Sequence, residues 1–337
     1  MAMVSKQEVI KKIMATGQTK LEDFIMQNSV VNNEILRNHQ ANDLLKIGAD
    51  GMIHDEKTEI ATYARKNSSL VSTFYSFLYG DNIDESIYDA KWVEKITAYD
   101  KRVYNAVCTL YIKGKTTFSI NELYSVLTGY AKSNPTSTQV DALITSLKKL
   151  KSIVLFIDLT EEFNANLIKN KQALIDAGYL KKRSDKFKRV KIEDNLLHIN
   201  IGSFESEMGR NFQMIQVFSE PALLTYNRAK NTLITIPMEY VGMKDMYITN
   251  KTVAFQDYLL MRILSHKNGA MKENKIMYST LYKEIGSEKP ESRKEFANDR
   301  NLVKKFFDEW IKDGLIASYE EVKKGRSYVG IQFGIQN

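Results

Sequence analysis

Cysteine is nearly absent from this chain of 337 residues, and the one present, Cys108, has no partner for an internal disulfide. That excludes a disulfide-stapled secreted scaffold and fits a reducing, cytoplasmic setting. Val103, Val107, Leu110 and Tyr111 neighbour Cys108 at helical spacing, so a buried thiol is expected. The histidines His39, His54, His198 and His266 stand singly. With one cysteine and no His-x-His pair, neither a zinc site nor a metal-dependent nicking site has its ligands. No run of about 18 apolar residues occurs, which excludes a membrane-spanning helix. The start, Met1-Ala2-Met3-Val4-Ser5-Lys6, opens a polar stretch without an apolar signal-peptide core. Gly114-Lys115-Thr116 has the look of a phosphate-binding loop, yet that motif needs a glycine where Thr109 stands and a strand where a helix is expected. The acid pairs Glu161-Glu162 and Glu320-Glu321 fall at expected strand ends and read as surface. Nothing here demands an enzyme, a metal or a cofactor; the expectation is a binding protein.

What is there is an ordinary globular balance, 43% hydrophobic and 26% charged, with a formal net charge of +7. A surplus of this sign favours anionic partners. Its placement says more than its size. From Tyr179 to Lys191, the cations Lys181, Lys182, Arg183, Lys186, Lys188, Arg189 and Lys191 face one acid, Asp185.

One pattern of elements occurs twice. In the first copy, Ala98 to Lys113 spaces Val103, Val107, Leu110 and Tyr111 along one helical face. Thr116 to Ser119 is extended, Ser119 caps a helix from Ile120 to Leu127, and Gly129 ends it. A third helix runs from about Ser137 to Lys151 on the stripe Val140, Leu143, Ile144, Leu147 and Leu150. Ile153 to Ile157 reads as a strand, and the chain returns through Lys186 to Ile201 with the basic run where a hairpin tip would lie. In the second copy, Phe255 to Ser265 is the first helix, Ser279 is expected to cap a helix from Thr280 to Ile285, and Gly286 stops it. Pro290 opens a long helix to Asp313, with Phe296, Val303, Phe306, Phe307 and Trp310 on its apolar side. Leu315 to Glu321 and Tyr328 to Phe333 are strands joined by the tight basic turn Lys323-Lys324-Gly325-Arg326-Ser327. Between the copies, Phe212 to Val217 and Leu233 to Ile236 read as further strands extending the first domain's sheet, with a helix from Glu220-Pro221.

This order predicts an α+β protein of tandem winged helix-turn-helix domains behind a mainly helical N-terminal extension. The boundaries are 1–91 for the extension, 92–245 for the first domain with its inserted strands, and 246–337 for the second. In the extension, Gln7 to Met26 spaces apolar residues on one helical face on either side of Gly17. Asn28 to Ser69 has a weak pattern, and Leu70 to Tyr79 is apolar enough to pack on something.

Two such units in a basic chain point to double-stranded DNA. In a helix-turn-helix the first turns of the recognition helix touch base edges. The second unit offers Arg293, Lys294 and Asn298 there, where arginine can fork onto guanine and asparagine onto adenine. Arg300, Asn301, Lys304 and Lys305 follow off the apolar stripe. In the first unit the same place holds Ser137, Thr138 and Gln139; Lys148, Lys149 and Lys151 at its far end suit the helix dipole. The turn cations Lys323, Lys324 and Arg326, and the run Lys181, Lys182, Arg183, Lys186, Lys188 and Arg189, would meet phosphate without reading sequence.

The paired units, the basic turn and the phrase Ser219-Glu220-Pro221-Ala222-Leu223-Leu224-Thr225-Tyr226 together resemble plasmid and mobile-element replication initiators. So do Tyr99-Asp100-Lys101, Asn121-Glu122-Leu123 and Ile157-Asp158, and the likeness covers residues 92–335. The resemblance implies binding to repeated origin sites, duplex opening, recruitment of host replication proteins, and a homodimer that represses its own promoter. It implies base reading by Arg293, Lys294, Asn298 and Arg300, and a wing role for Lys323, Lys324 and Arg326. The N-terminal region and the block from Asn164 to Val241 depart from the family pattern. Two other readings stand beside it: a transcriptional repressor on the same scaffold, and a phage or mobile-element protein holding a host protein or nucleoprotein complex.

Overall fold

The computed structural model describes residues 34–38, 52–55, 60–64, 71–75, 96–129, 134–181, 190–205, 211–231, 233–243 and 246–335. The described parts of the N-terminal region are strands, where a mainly helical extension was expected: β1 (Glu34–Asn38), β2 (Met52–Asp55), β3 (Ile60–Ala64) and β4 (Val71–Tyr75). Their partners explain why the local pattern is weak. Strands this short take their register from distant chain rather than from their own periodicity. The expected helix over Gln7 to Met26 lies outside the described residues.

The first unit opens with α1 (Ala98–Ile112), whose Thr97 and Asp100 form a reciprocal capping box. β5 (Thr117–Ser119) leads into α2 (Ile120–Thr128), capped by the Ser119 side chain and closed by Gly129 at φ 75°. α3 (Ser137–Lys151) starts from a second capping box, Thr136 with Gln139. Then come β6 (Val154–Asp158), α4 (Thr160–Asn164), α5 (Lys171–Asp176), β7 (Lys191–Asn195), β8 (Ile199–Glu205) and β9 (Asn211–Val217). α6 (Ala222–Lys230), β10 (Leu233–Pro237) and a 3₁₀ turn (Met238–Val241) complete it.

The second unit is α7 (Asn250–Lys267), β11 (Lys275–Met277), α8 (Tyr278–Ile285), α9 (Arg293–Lys312), β12 (Ile316–Lys324) and β13 (Ser327–Ile335). Ser279 lies inside α8 and does not cap it; the capping position is Met277, which makes no side-chain cap bond. The chain enters α8 straight from the β11 ladder, so no loop is left there for a serine cap.

Small antiparallel sheets make up the β part, in the orders β5-β9-β8, β11-β13-β12, β2-β3-β4-β6-β7 and β1-β10. The first two orders correspond. In each unit a short strand after the first helix pairs with the returning strand of a later hairpin. For the second unit that hairpin directly follows α9, as expected. For the first unit the sequence placed it between Ile153 and Ile201, and the structure moves it on. β6 does pair β7, from Val154 opposite Asn195 to Asp158 opposite Lys191, but that pair joins β4 in the five-stranded sheet. The counterpart of the β12–β13 hairpin is β8–β9. The reason is apolar registration: Ile201 and Phe118 both sit opposite the buried Ile215, and Ile199 opposite Val217. Residues 154–195 are therefore an insertion between α3 and its hairpin.

One continuous apolar core runs through both units, from Val103, Leu110, Leu123 and Leu147 to Phe255, Leu259, Phe307 and Trp310. Cys108 is buried in it, as expected, and forms no disulfide. Close backbone approach holds the 3₁₀ turn against the end of α2 within the first unit: a Cβ on Gly129 would lie 2.9 Å from the Gly242 Cα and 2.9 Å from the Met238 carbonyl oxygen. Further along, the Gln256 side-chain amide donates to the Gly242 carbonyl at 3.1 Å and the Trp310 indole donates to the Tyr240 carbonyl at 2.8 Å.

Candidate nucleic-acid interface

α9 carries three faces with different fates. At about 100° per residue, Asp299, Val303, Phe306, Phe307 and Trp310 fall on one side, and all are buried. Lys294, Asn298, Asn301 and Lys305 fall on the opposite side, spaced four, three and four residues apart, and all are exposed. Arg293 is exposed at the first turn, while Lys304 is half-buried beside the stripe. Among the described residues, no hydrogen bond or ion pair holds the side chains of Lys294, Asn298, Asn301 or Lys305.

The acids Glu295, Asp299 and Asp308 of α9 are engaged away from this stripe. Asp299 points into the unit, where it accepts from the Tyr282 hydroxyl at 2.9 Å and pairs with Lys251 of α7 at 2.6 Å. Burial and then that carboxylate hold the Tyr282 phenol well above its ordinary value. Glu295 lies 3.9 Å from the same Lys251, and Asp308 accepts from the Tyr319 hydroxyl of β12 at 2.7 Å.

The third face of α9 meets the β12–β13 hairpin. Arg300 donates from Nε and Nη2 to one oxygen of Glu321, at 2.8 and 2.6 Å. Its guanidinium carbon sits 3.3 Å from the centre of the Tyr328 ring. The sequence read Glu320-Glu321 as surface, which holds for Glu320 but not for the half-buried Glu321. Strand alternation is the signal that distinguishes them, because Tyr319 and Glu321 share the side of β12 that faces α9.

The links run in register: Asp308 to Tyr319, then Arg300 to Glu321, so the N-terminal turns of α9 lie toward the hairpin tip. At the tip, Lys323, Lys324 and Arg326 are exposed around Gly325, whose φ of 63° is open to glycine at little cost. A register shift between Val322 and Lys323 adds a bulge there, which increases local twist. Lys323 lies 4.7 Å above the Tyr328 ring.

α3 is the counterpart of α9, aligned by its cap: Thr136 matches Ser292. Ser137 and Thr138 are exposed at its start. Gln139 is held by the cap, where its side-chain oxygen accepts from the Thr136 amide at 2.8 Å. At the far end Lys149 pairs with Asp100 of α1 at 2.9 Å, beside a Ser146 hydroxyl that donates to the same carboxylate at 2.7 Å. Lys148 stays exposed. Lys181 is exposed just after α5; Lys182, Arg183, Lys186, Lys188 and Arg189 lie outside the described residues. In the sequence their run falls between α5 and β7, not between β8 and β9.

Among the described residues no cluster of three His, Cys, Asp or Glu side chains is arranged to hold a metal ion, and no helix is long and apolar enough to cross a membrane.

No protein-family model matches the chain, and no curated protein matches it in sequence. Two solved structures of RctB domains 2 and 3 are similar to it. A selenomethionine derivative gives a TM-score of 0.41 at 12% identity, covering 88% of this chain and 98% of that one. The other gives 0.37 at 12% identity, covering 82% and 91% respectively.

Proposed function

We propose that the protein binds double-stranded DNA through two winged helix-turn-helix units, α9 and α3 being the recognition helices and the β12–β13 and β8–β9 hairpins the wings. One observation carries this reading: among the described residues the exposed stripe of Lys294, Asn298, Asn301 and Lys305 has no acid paired with it, and it lies on a helix whose first turns run toward a cationic hairpin tip. Asp299 lies on the buried face away from the stripe, Glu295 lies 3.9 Å from Lys251 of α7, and Asp308 accepts from Tyr319 of β12, so these acids are engaged with other elements instead of the stripe's lysines. Arg293, Lys294, Asn298 and Asn301 are placed to read base edges. Lys304, Lys305, Lys323, Lys324 and Arg326 would neutralise phosphate. Ser137 and Thr138 make the second, less charged head.

The sequence resemblance extends this to replication initiation at repeated origin sites of a plasmid or mobile element, with host replication proteins and a second copy of the chain as further partners. Selecting bound fragments from the source element's own DNA tests it. Enrichment of a tandem repeat supports an initiator, and a single palindrome beside a promoter supports a repressor. No enrichment at moderate salt would overturn the DNA reading in favour of a host-protein partner. If six to ten phosphates are neutralised, affinity falls by roughly three to five decades between about 50 and 200 mM salt.

A further inference from the structure

We infer that Arg300 is a positioning residue: it locks the basic hairpin tip to the reading stripe of α9 and makes no base contact of its own. This rests on the DNA-binding reading above and assigns to Arg300 a role different from that of its neighbours. Asn298 and Asn301 flank it in the chain and face outward, whereas the Arg300 side chain is only 17% exposed and Glu321 16%. Its fork reaches β12 through Glu321, two residues before Lys323. Its flat face stacks on Tyr328 of β13, the residue directly opposite Lys323 in the ladder. Both strands are thus gripped one step below the tip. The helical turn that presents the two asparagines also carries the lock, so the distance from reading stripe to tip cations is fixed within one turn.

The surroundings suit a permanent contact. Tyr278 at the start of α8 is buried beside the pair; burial first, and then the Glu321 charge, push its phenol up to about 12. A planar guanidinium donates in its plane to the carboxylate while its flat face stacks on the ring, a geometry that lysine's tetrahedral ammonium does not reproduce, so lysine is not an equivalent. Lys323, stacked on the same Tyr328, ties one of the tip cations to the lock.

The test uses the full chain with two probes: a duplex carrying the selected site and a random duplex of equal length. In Arg300→Lys the charge remains but the lock is lost. The expected result is a salt slope shallower by roughly 2 to 3, the share of three tip cations, with the order of preference among single-base-pair variants unchanged. In that background Lys324→Ala and Arg326→Ala add little, although each weakens the wild type. Glu321→Gln gives the same pattern with Arg300 intact, and faster amide exchange at Gly325 and Arg326 reports the freed tip without DNA. An unchanged slope with altered preference at one base pair would make Arg300 a base reader and overturn the role. A wild-type chain that binds neither duplex would overturn the DNA reading itself, and this role with it.

Discussion

Arg102 of α1 and Asp257 of α7 meet at 2.6 Å, joining the first helices of the two units through an arginine side chain that is 3% exposed. Beside them the Asn250 side-chain oxygen accepts from the backbone amides of Ala98 and Tyr99, at 2.9 and 3.4 Å. A residue of the second unit therefore completes the helix terminus of the first.

Removing one member of this pair leaves a desolvated charge. Asp257→Ala is expected to destabilise the fold by about 3 kcal/mol, because the stranded guanidinium costs more than the pair contributes. The double variant Arg102→Met with Asp257→Leu should recover most of that loss. Urea unfolding of the two variants measures both, and a double variant no more stable than Asp257→Ala would contradict the account.

Arg293→Ala should relax sequence preference at one base pair and cost about 1–3 kcal/mol on the selected site, with little effect on random DNA. Lys324→Ala should weaken specific and random duplexes alike. Titrations of both variants on both duplexes separate the roles, and equal losses throughout would abolish the distinction.

Gly129 has two reasons to be glycine, its φ of 75° and the backbone 2.9 Å from where a Cβ would stand. Gly325 has only the first, since nothing lies within 4 Å of its Cβ direction. Gly325→Ala is expected to cost about 1–2 kcal/mol from the left-handed backbone alone. Gly129→Ala should cost distinctly more, as Gly242 and the 3₁₀ turn must shift. Thermal melts of the two variants give the order directly.

Alkali should loosen the second unit. Tyr278 and Tyr282 both have phenols raised above the ordinary 10.0, chiefly by burial. A group that holds its proton more tightly when folded contributes stability that is fully present below its unfolded value and lost as pH rises beyond it. Stability should thus be insensitive to these groups through neutrality and decline above about pH 10. Urea midpoints across that range should fall less steeply for Tyr282→Phe than for the wild type.

Much of the second unit was legible because its signals are local. The long helix after Pro290, which begins at Arg293 behind the Ser292 cap rather than at the proline, the stop at Gly286, the turn around Gly325 and the apolar stripe ending at Trp310 each follow from neighbouring residues. The exposure of Arg293, Lys294, Asn298 and Asn301 follows from the same periodicity. The first unit was half legible. α2 and α3 were placed to within a residue, yet its hairpin was assigned one strand pair too early. Val154 to Asp158 and Ile199 to Val217 are equally strand-like in composition, and nothing local says which of them β5 will join. Gln139 illustrates the same limit within a helix, since it occupies a base-reading position by number but its oxygen is taken by the Thr136 amide.

Sequence alone determined the existence of the main helices of both units and close bounds for α2 and α3, which of their faces are apolar, and where positive charge collects. Those features depend on residues within a turn or two of one another. Tertiary structure decided which strands share a sheet, which acids are drawn away from the α9 stripe, and that Arg300 faces Glu321 and Tyr328. Such choices are made between residues far apart in the chain, where shape and registration across the core outweigh local preference.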